Sequence, residues 1–176
     1  LTITFEDFYE KTKIDINMYC TEINSFDLVC LNYKNFPKMP IIEAIHATSS
    51  IAPIFSPVIC EERCFLDGGL LSNYPLTQCL ESDKEIKKDE VLGIIGSPHN
   101  NSCLIEEKTT ITDYILKIIY NLIDKSDASE RSSKLIDYEI CYPTKERCGS
   151  TWKDSILLNE CREKMIKNGE DFAEEY

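Results

Sequence analysis

The residue of this chain whose type and setting best suit chemistry is Asp67. Phe65 and Leu66 read as the apolar end of a strand, Asp67 follows where that strand leaves the core, and Gly68 and Gly69 come next. A carboxylate at a strand end lies where α/β sheets commonly form sites. Held there, it can act as a general base toward a serine hydroxyl. The two glycines would permit backbone angles closed to other residues and let another group approach closely. Asn73 and Pro75 then open the next helix, with proline suited to its first turn. D-G-G after a strand is also ordinary turn chemistry, and the tripeptide alone favours that reading.

Other nucleophiles and bases are less well placed. Ser49 and Ser50 end a helical segment with nothing nearby in sequence to activate them, so polar capping and tight packing are the expected roles. His46 lies on the same segment and His99 in a polar loop, and neither forms a Ser-His-Asp pattern with Asp67. The nine cysteines are scattered without a C-x-x-C pair, which argues against a structural metal site. Free thiols in a reducing compartment are the better reading, and they suit a cytoplasmic or membrane-peripheral setting. Cys60 and Cys64 are spaced to meet across a hairpin.

These residues need a scaffold. Thr4 caps a short helix whose first turn holds Glu6 and Asp7. Residues 14–23 and 26–33 alternate as strands. Residues 41–50 have Ile41, Ala44, Ile45 and Thr48 at helical spacing, until Pro53 and Pro57 break the pattern. Residues 58–66 read as two short strands around Glu61-Glu62. A helix follows Pro75, and residues 81–90 form a solvated connection that includes Lys84, Lys87 and Lys88. The apolar run 91–97 predicts a buried strand, and 98–108 a polar loop. Residues 110–124 predict a helix with Ile111, Ile115, Ile118, Ile119 and Leu122 inward, since its polar face lacks the basic enrichment of a membrane anchor. A last strand over 135–142 and an amphipathic helix over 155–172 complete the pattern. Its inward positions are Ile156, Leu157, Cys161, Met165 and Phe172. Alternating strands and helices give the class α/β.

Composition narrows the function. The chain has 176 residues, 43% hydrophobic and 28% charged, enough for one core. Its net charge of −12 opposes sequence-independent nucleic-acid binding and offers no general attraction to anionic membranes. No apolar run reaches the ~20 residues that span a bilayer, and no signal-peptide pattern opens the chain. It starts at Leu1 instead of Met, and we expect further chain before it.

The stretch from Ala44 to Pro75 resembles the patatin-like phospholipase family. The family pattern runs A-x-x-A-S-S-A-x-P-x-x-F-x-P, then an apolar strand, D-G-G or D-G-A, and N-x-P. The matching residues here are Ala44, Ala47, Ser49, Ser50, Pro53, Phe55, Pro57, Asp67, Gly68, Gly69, Asn73 and Pro75. The order of elements from Thr4 onward is similar too, and the resemblance is specific to about Leu80.

The resemblance implies a three-layer α/β fold with a central, mostly parallel sheet. This chain would form its incomplete C-terminal portion, with residues 1–140 in the domain and 141–176 as a helical extension. It also implies lipid acyl-ester hydrolysis by a serine–aspartate dyad, with peripheral membrane contact and neither metal nor cofactor. Asp67 would be the base, with Gly68, Gly69, Asn73 and Pro75 supporting the motif. The family's G-x-S-x-G is absent from these 176 residues, so the serine is expected from a missing N-terminal half or a partner chain. The isolated chain is then expected to be inactive and to leave apolar strand edges open. The competing expectation is a non-catalytic pseudoenzyme or interaction module that keeps the scaffold.

Overall fold

A computed structural model describes residues 2–83, 85–97, 104–130, 135–143 and 154–175. His99, Lys84 and most of the polar loop that follows residue 97 lie outside the described residues. Two compact units are present, Leu1–Ser82 with Asn121–Ser133, and Asp83–Tyr120 with Lys134–Tyr176.

The first unit opens with α1, Phe5–Thr12. Thr4 and Asp7 form the expected reciprocal cap: Asp7 N–H donates to Thr4 Oγ1 at 3.2 Å and Thr4 N–H donates to Asp7 Oδ2 at 3.1 Å. Two hairpins follow, β1 (Met18–Glu22) with β2 (Asp27–Leu31) and β3 (Val58–Cys60) with β4 (Arg63–Asp67). They join in the order β2-β1-β4-β3, every pairing antiparallel. Helix α2, Ile41–Thr48, lies between the hairpins in sequence.

The core comprises Phe5, Cys20, Leu31, Phe36, Met39, Ile41, Ala44, Ala47 and Phe65. Ala44 and Ala47 are fully buried, and their small side chains let the α2 backbone approach the sheet. Ile45, expected on the buried stripe, is exposed: the two-turn helix buries the narrower set Ile41, Ala44 and Ala47.

Both strands of the first hairpin are shorter than their alternation predicts. Asn32 Oδ1 accepts from the N–H groups of Lys34 (3.0 Å) and Asn35 (2.9 Å), turning the chain just after Leu31. Residues 14–17 therefore have no strand to pair with, and Ile14 is exposed. Phe26 belongs to the turn, with φ 58°. The Glu61-Glu62 turn is present as expected. Both residues have positive φ, 50° and 64°, the condition for a primed two-residue hairpin, at a cost of roughly 1–2 kcal/mol each without glycine. Cys60 and Cys64 do not meet. Cys60 faces Arg63 and Cys64 faces Ile59, so successive residues place the two thiols on opposite faces, and both are free.

After the 3-10 turn Gly68–Leu70 comes α3, Leu76–Ser82. Pro75 immediately precedes α3, its carbonyl accepting the Cys79 N–H at 3.0 Å.

In the second unit β5 (Leu92–Ser97) pairs in parallel with β6 (Tyr138–Pro143). The expected burial holds for one face: Gly93 and Ile95 are buried, whereas Leu92 and Ile94 are exposed. Helix α4, Ile111–Glu130, contributes residues to both units and outlasts its predicted end. Its buried positions are Leu116, Tyr120 and Ile123, while Ile111, Ile115, Ile118 and Leu122 are exposed, the reverse of the expected stripe. The helix is apolar around much of its circumference, so spacing alone does not choose the inward side. The predicted final helix divides at Leu158 into a short helical segment at 154–157 and α5, Asn159–Glu175. Ile156, Leu157 and Met165 are exposed, and Phe172 meets the Tyr142 ring edge-on at 5.2 Å.

The described architecture is thus mixed α/β, but Asp67 stands on an antiparallel sheet, and parallel pairing is confined to β5 and β6. No described helix is long and apolar enough to cross a membrane.

Candidate active site

Asp67 ends β4, an interior strand, directly opposite Cys20 of β1. Opposed residues share a sheet face, so the carboxylate lies on the side that carries Cys20 and Phe65. Its main chain is held at both ends. The Asp67 N–H donates to the Ser50 carbonyl at 3.1 Å, and the Thr21 hydroxyl donates to the Asp67 carbonyl at 3.0 Å. The side chain then turns back, Oδ1 accepting the Gly69 N–H at 2.7 Å.

Both glycines are required by space. No described glycine has positive φ, so the expected use of glycine-only backbone angles does not apply here. A Cβ on Gly68 would overlap the Tyr19 carbonyl oxygen and lie 2.7 Å from its carbon. One on Gly69 would lie 3.0 Å from Asp67 Oδ1 and 3.1 Å from Asn73 Oδ1. Gly68 thus lets β4 end against the β1 backbone, and Gly69 leaves room for two side-chain oxygens. Asn73 is brought beside this turn, while Pro75 acts one step further on, at the start of α3.

Burial raises the Asp67 carboxyl above its ordinary range, and the Gly69 hydrogen bond partly offsets this. The neighbouring Cys20 thiol is pushed up to about 12, first by burial and then by the Asp67 charge. A thiol so disposed stays protonated and is a poor nucleophile.

The serines of α2 have structural partners. Ser49 Oγ donates to the Ile45 carbonyl and Ser50 Oγ to the His46 carbonyl, each at 2.6 Å, and Ser50 is fully buried. Thr48 Oγ1 donates to the Tyr19 carbonyl at 2.8 Å, tying the end of α2 to β1. His46 is exposed on the last helical turn. Thr21 and Thr48 escape a reading by motif, because threonine is common in strands and helix ends; full burial of Thr21 is the signal, visible only in three dimensions. Among the described residues, no three His, Cys, Asp or Glu side chains converge as metal ligands would.

Comparison with known proteins bears on this arrangement. Residues 4–80 match the model of the patatin-like phospholipase family. The chain is similar to a probable lipid hydrolase of Invertebrate iridescent virus 6, 27% identical over 75 residues, covering 43% of this chain and 26% of that protein. It is also similar to an uncharacterized protein of Acanthamoeba polyphaga mimivirus, 30% identical over 141 residues, covering 74% of this chain and 46% of that one. The chain thus spans less than half the length of either relative. The matched segment contains the whole assembly around Asp67, from the α1 cap to the start of α3. Over residues 4–80 the chain is therefore similar to the patatin-like phospholipase family.

Proposed function

We propose that the protein to which this chain contributes hydrolyses acyl esters of phospholipids or related lipids, with Asp67 as the general base of a serine–aspartate dyad. The supporting observation is the Asp67 carboxylate itself, fixed at a strand end with Gly69 on Oδ1 and its pKa raised by burial. The serine Oγ attacks the acyl carbonyl as Asp67 takes its proton through Oδ2. The acid form of Asp67 then protonates the departing alcohol. In the second half a water gives its proton to Asp67 as it attacks the acyl-serine ester, and Asp67 returns that proton to the serine Oγ as the fatty acid leaves, restoring the dyad.

No G-x-S-x-G occurs in the 176 residues, so the serine and the oxyanion donors come from another segment or a partner chain. The antiparallel sheet around Asp67 would join that segment in the family's three-layer fold, and the 176 residues alone would not hydrolyse esters. With a net charge of −12, contact with a lipid surface would rest on local apolar groups.

The test is hydrolysis of p-nitrophenyl butyrate and of phosphatidylcholine vesicles by the full-length protein and its Asp67→Asn variant. We expect at least ~10³-fold loss of kcat in a folded variant, comparable to loss of a dyad member. The rate should also fall on acidification through a pKa above the ordinary carboxylate range, since only ionised Asp67 accepts the proton. A folded wild-type protein without activity, or an equally active Asp67→Asn, would overturn the reading.

A further inference from the structure

Thr21 is fully buried, on the face of β1 opposite Cys20. A buried hydroxyl must find a partner, and this one donates to the carbonyl of Asp67 at 3.0 Å, across 46 residues of sequence. That carbonyl belongs to the peptide linking Asp67 to Gly68. On the far side of this peptide, Gly68 is pressed against the Tyr19 carbonyl, which in turn accepts from Thr48 at 2.8 Å. The peptide on which the carboxylate pivots is therefore hydrogen-bonded to β1 through Thr21, while the Thr48 bond serves the β1 main chain and not this peptide. Of the two threonines, only Thr21 bonds Asp67 itself.

We propose that Thr21 is a positioning residue for Asp67, setting the direction of the carboxylate through its main chain; the inference rests on Asp67 being the base. Removing the hydroxyl leaves the Asp67 carbonyl without this partner and frees the peptide to rotate. Displacing a reacting group by ~1 Å costs on the order of 10²-fold in rate, so a shift of a few tenths of an ångström is expected to cost ~10-fold.

The experiment uses the full-length protein and p-nitrophenyl butyrate. Thr21→Val should lower kcat ~10-fold with KM within about twofold, since the substrate is bound elsewhere. Thr21→Ser retains the hydroxyl and should keep kcat within about twofold of wild type even if its melting temperature falls. Thr48→Val deletes a comparable buried hydroxyl that does not touch Asp67, and should lower thermal stability with kcat again within about twofold.

Wild-type kcat in Thr21→Val, an equal fall in Thr48→Val, or a ~10-fold loss in folded Thr21→Ser would each overturn the proposal. Should Thr21→Val not fold, Thr21→Ala is measured in its place, a ~10-fold fall in kcat supporting the proposal and wild-type kcat overturning it. Asp67→Asn run alongside separates the two readings. If it retains activity, the dyad assignment falls; if it is inactive while Thr21→Val is unimpaired, only the positioning role does.

Discussion

Replacing Gly68 by alanine should damage the fold, whereas the same change at Gly69 should damage the site. A Cβ on Gly68 would stand 2.7 Å from the Tyr19 carbonyl carbon and 3.2 Å from the Cys20 nitrogen. Carbon atoms pack at ~3.5–4.0 Å, so β1 and the end of β4 must part by about 1 Å. Both obstacles are backbone, and no side-chain rotation relieves them. The separation strains the Thr48 bond to Tyr19 and the Thr21 bond to Asp67, each worth about 1 kcal/mol net, on top of an overpacking cost of about 1–3 kcal/mol. The sum is roughly 3–5 kcal/mol. At ~2–4 °C per kcal/mol for a domain of this size, the melting temperature should fall by roughly 6–20 °C.

On Gly69, by contrast, the new Cβ meets the ends of two side chains, Asp67 Oδ1 at 3.0 Å and Asn73 Oδ1 at 3.1 Å. These can turn aside, so the stability loss should stay below ~1 kcal/mol, while the displaced carboxylate lowers kcat ~10-fold or more. Thermal unfolding followed by circular dichroism, with ester hydrolysis on the same samples, measures both. A Gly68→Ala variant melting within ~2 °C of wild type would refute the steric reasoning.

Further outcomes follow from the hydrogen bonds. Glu22 accepts from the N–H groups of Cys64 (3.0 Å) and Ser25 (2.7 Å), which hold its carboxyl down to about 2. A pKa below the unfolded value contributes stability above the ordinary glutamate range that disappears as pH falls toward 2. The stability advantage of wild type over Glu22→Gln in urea titrations should therefore shrink between about pH 6 and pH 3, and a constant difference would contradict it. Asp67 has the opposite sign. Its raised folded pKa favours the fold below the unfolded pKa, and this contribution is lost as pH rises through the folded value. Asp67→Asn should therefore gain in melting temperature relative to wild type on going from acid to neutral pH. Ser49→Ala should keep kcat within about twofold, because the hydroxyl serves the Ile45 and His46 carbonyls of its own helix; a ~10³-fold loss would make Ser49 a candidate nucleophile.

Local patterns in the sequence carried a good deal of this. Thr4 and Asp7 specify their own cap because both partners lie within one helical turn. The hairpin about Glu61-Glu62 follows from short alternating runs, and Asp67 is singled out by the chemistry of D-G-G after a strand. What sequence could not supply depends on distant partners. The length of β1 is set by β2, which Asn32 ends early, and the inward side of α4 is chosen within its wide apolar arc by what packs on it. The antiparallel setting of Asp67 depends on β4 pairing with a strand more than 40 residues earlier. The role of Gly68 depends on the Tyr19 carbonyl, and that of Thr21 on a carbonyl 46 residues away. A motif names the carboxylate, but its burial, and hence its basicity, exists only once those strands meet, because desolvation is a property of the surroundings and not of the residue.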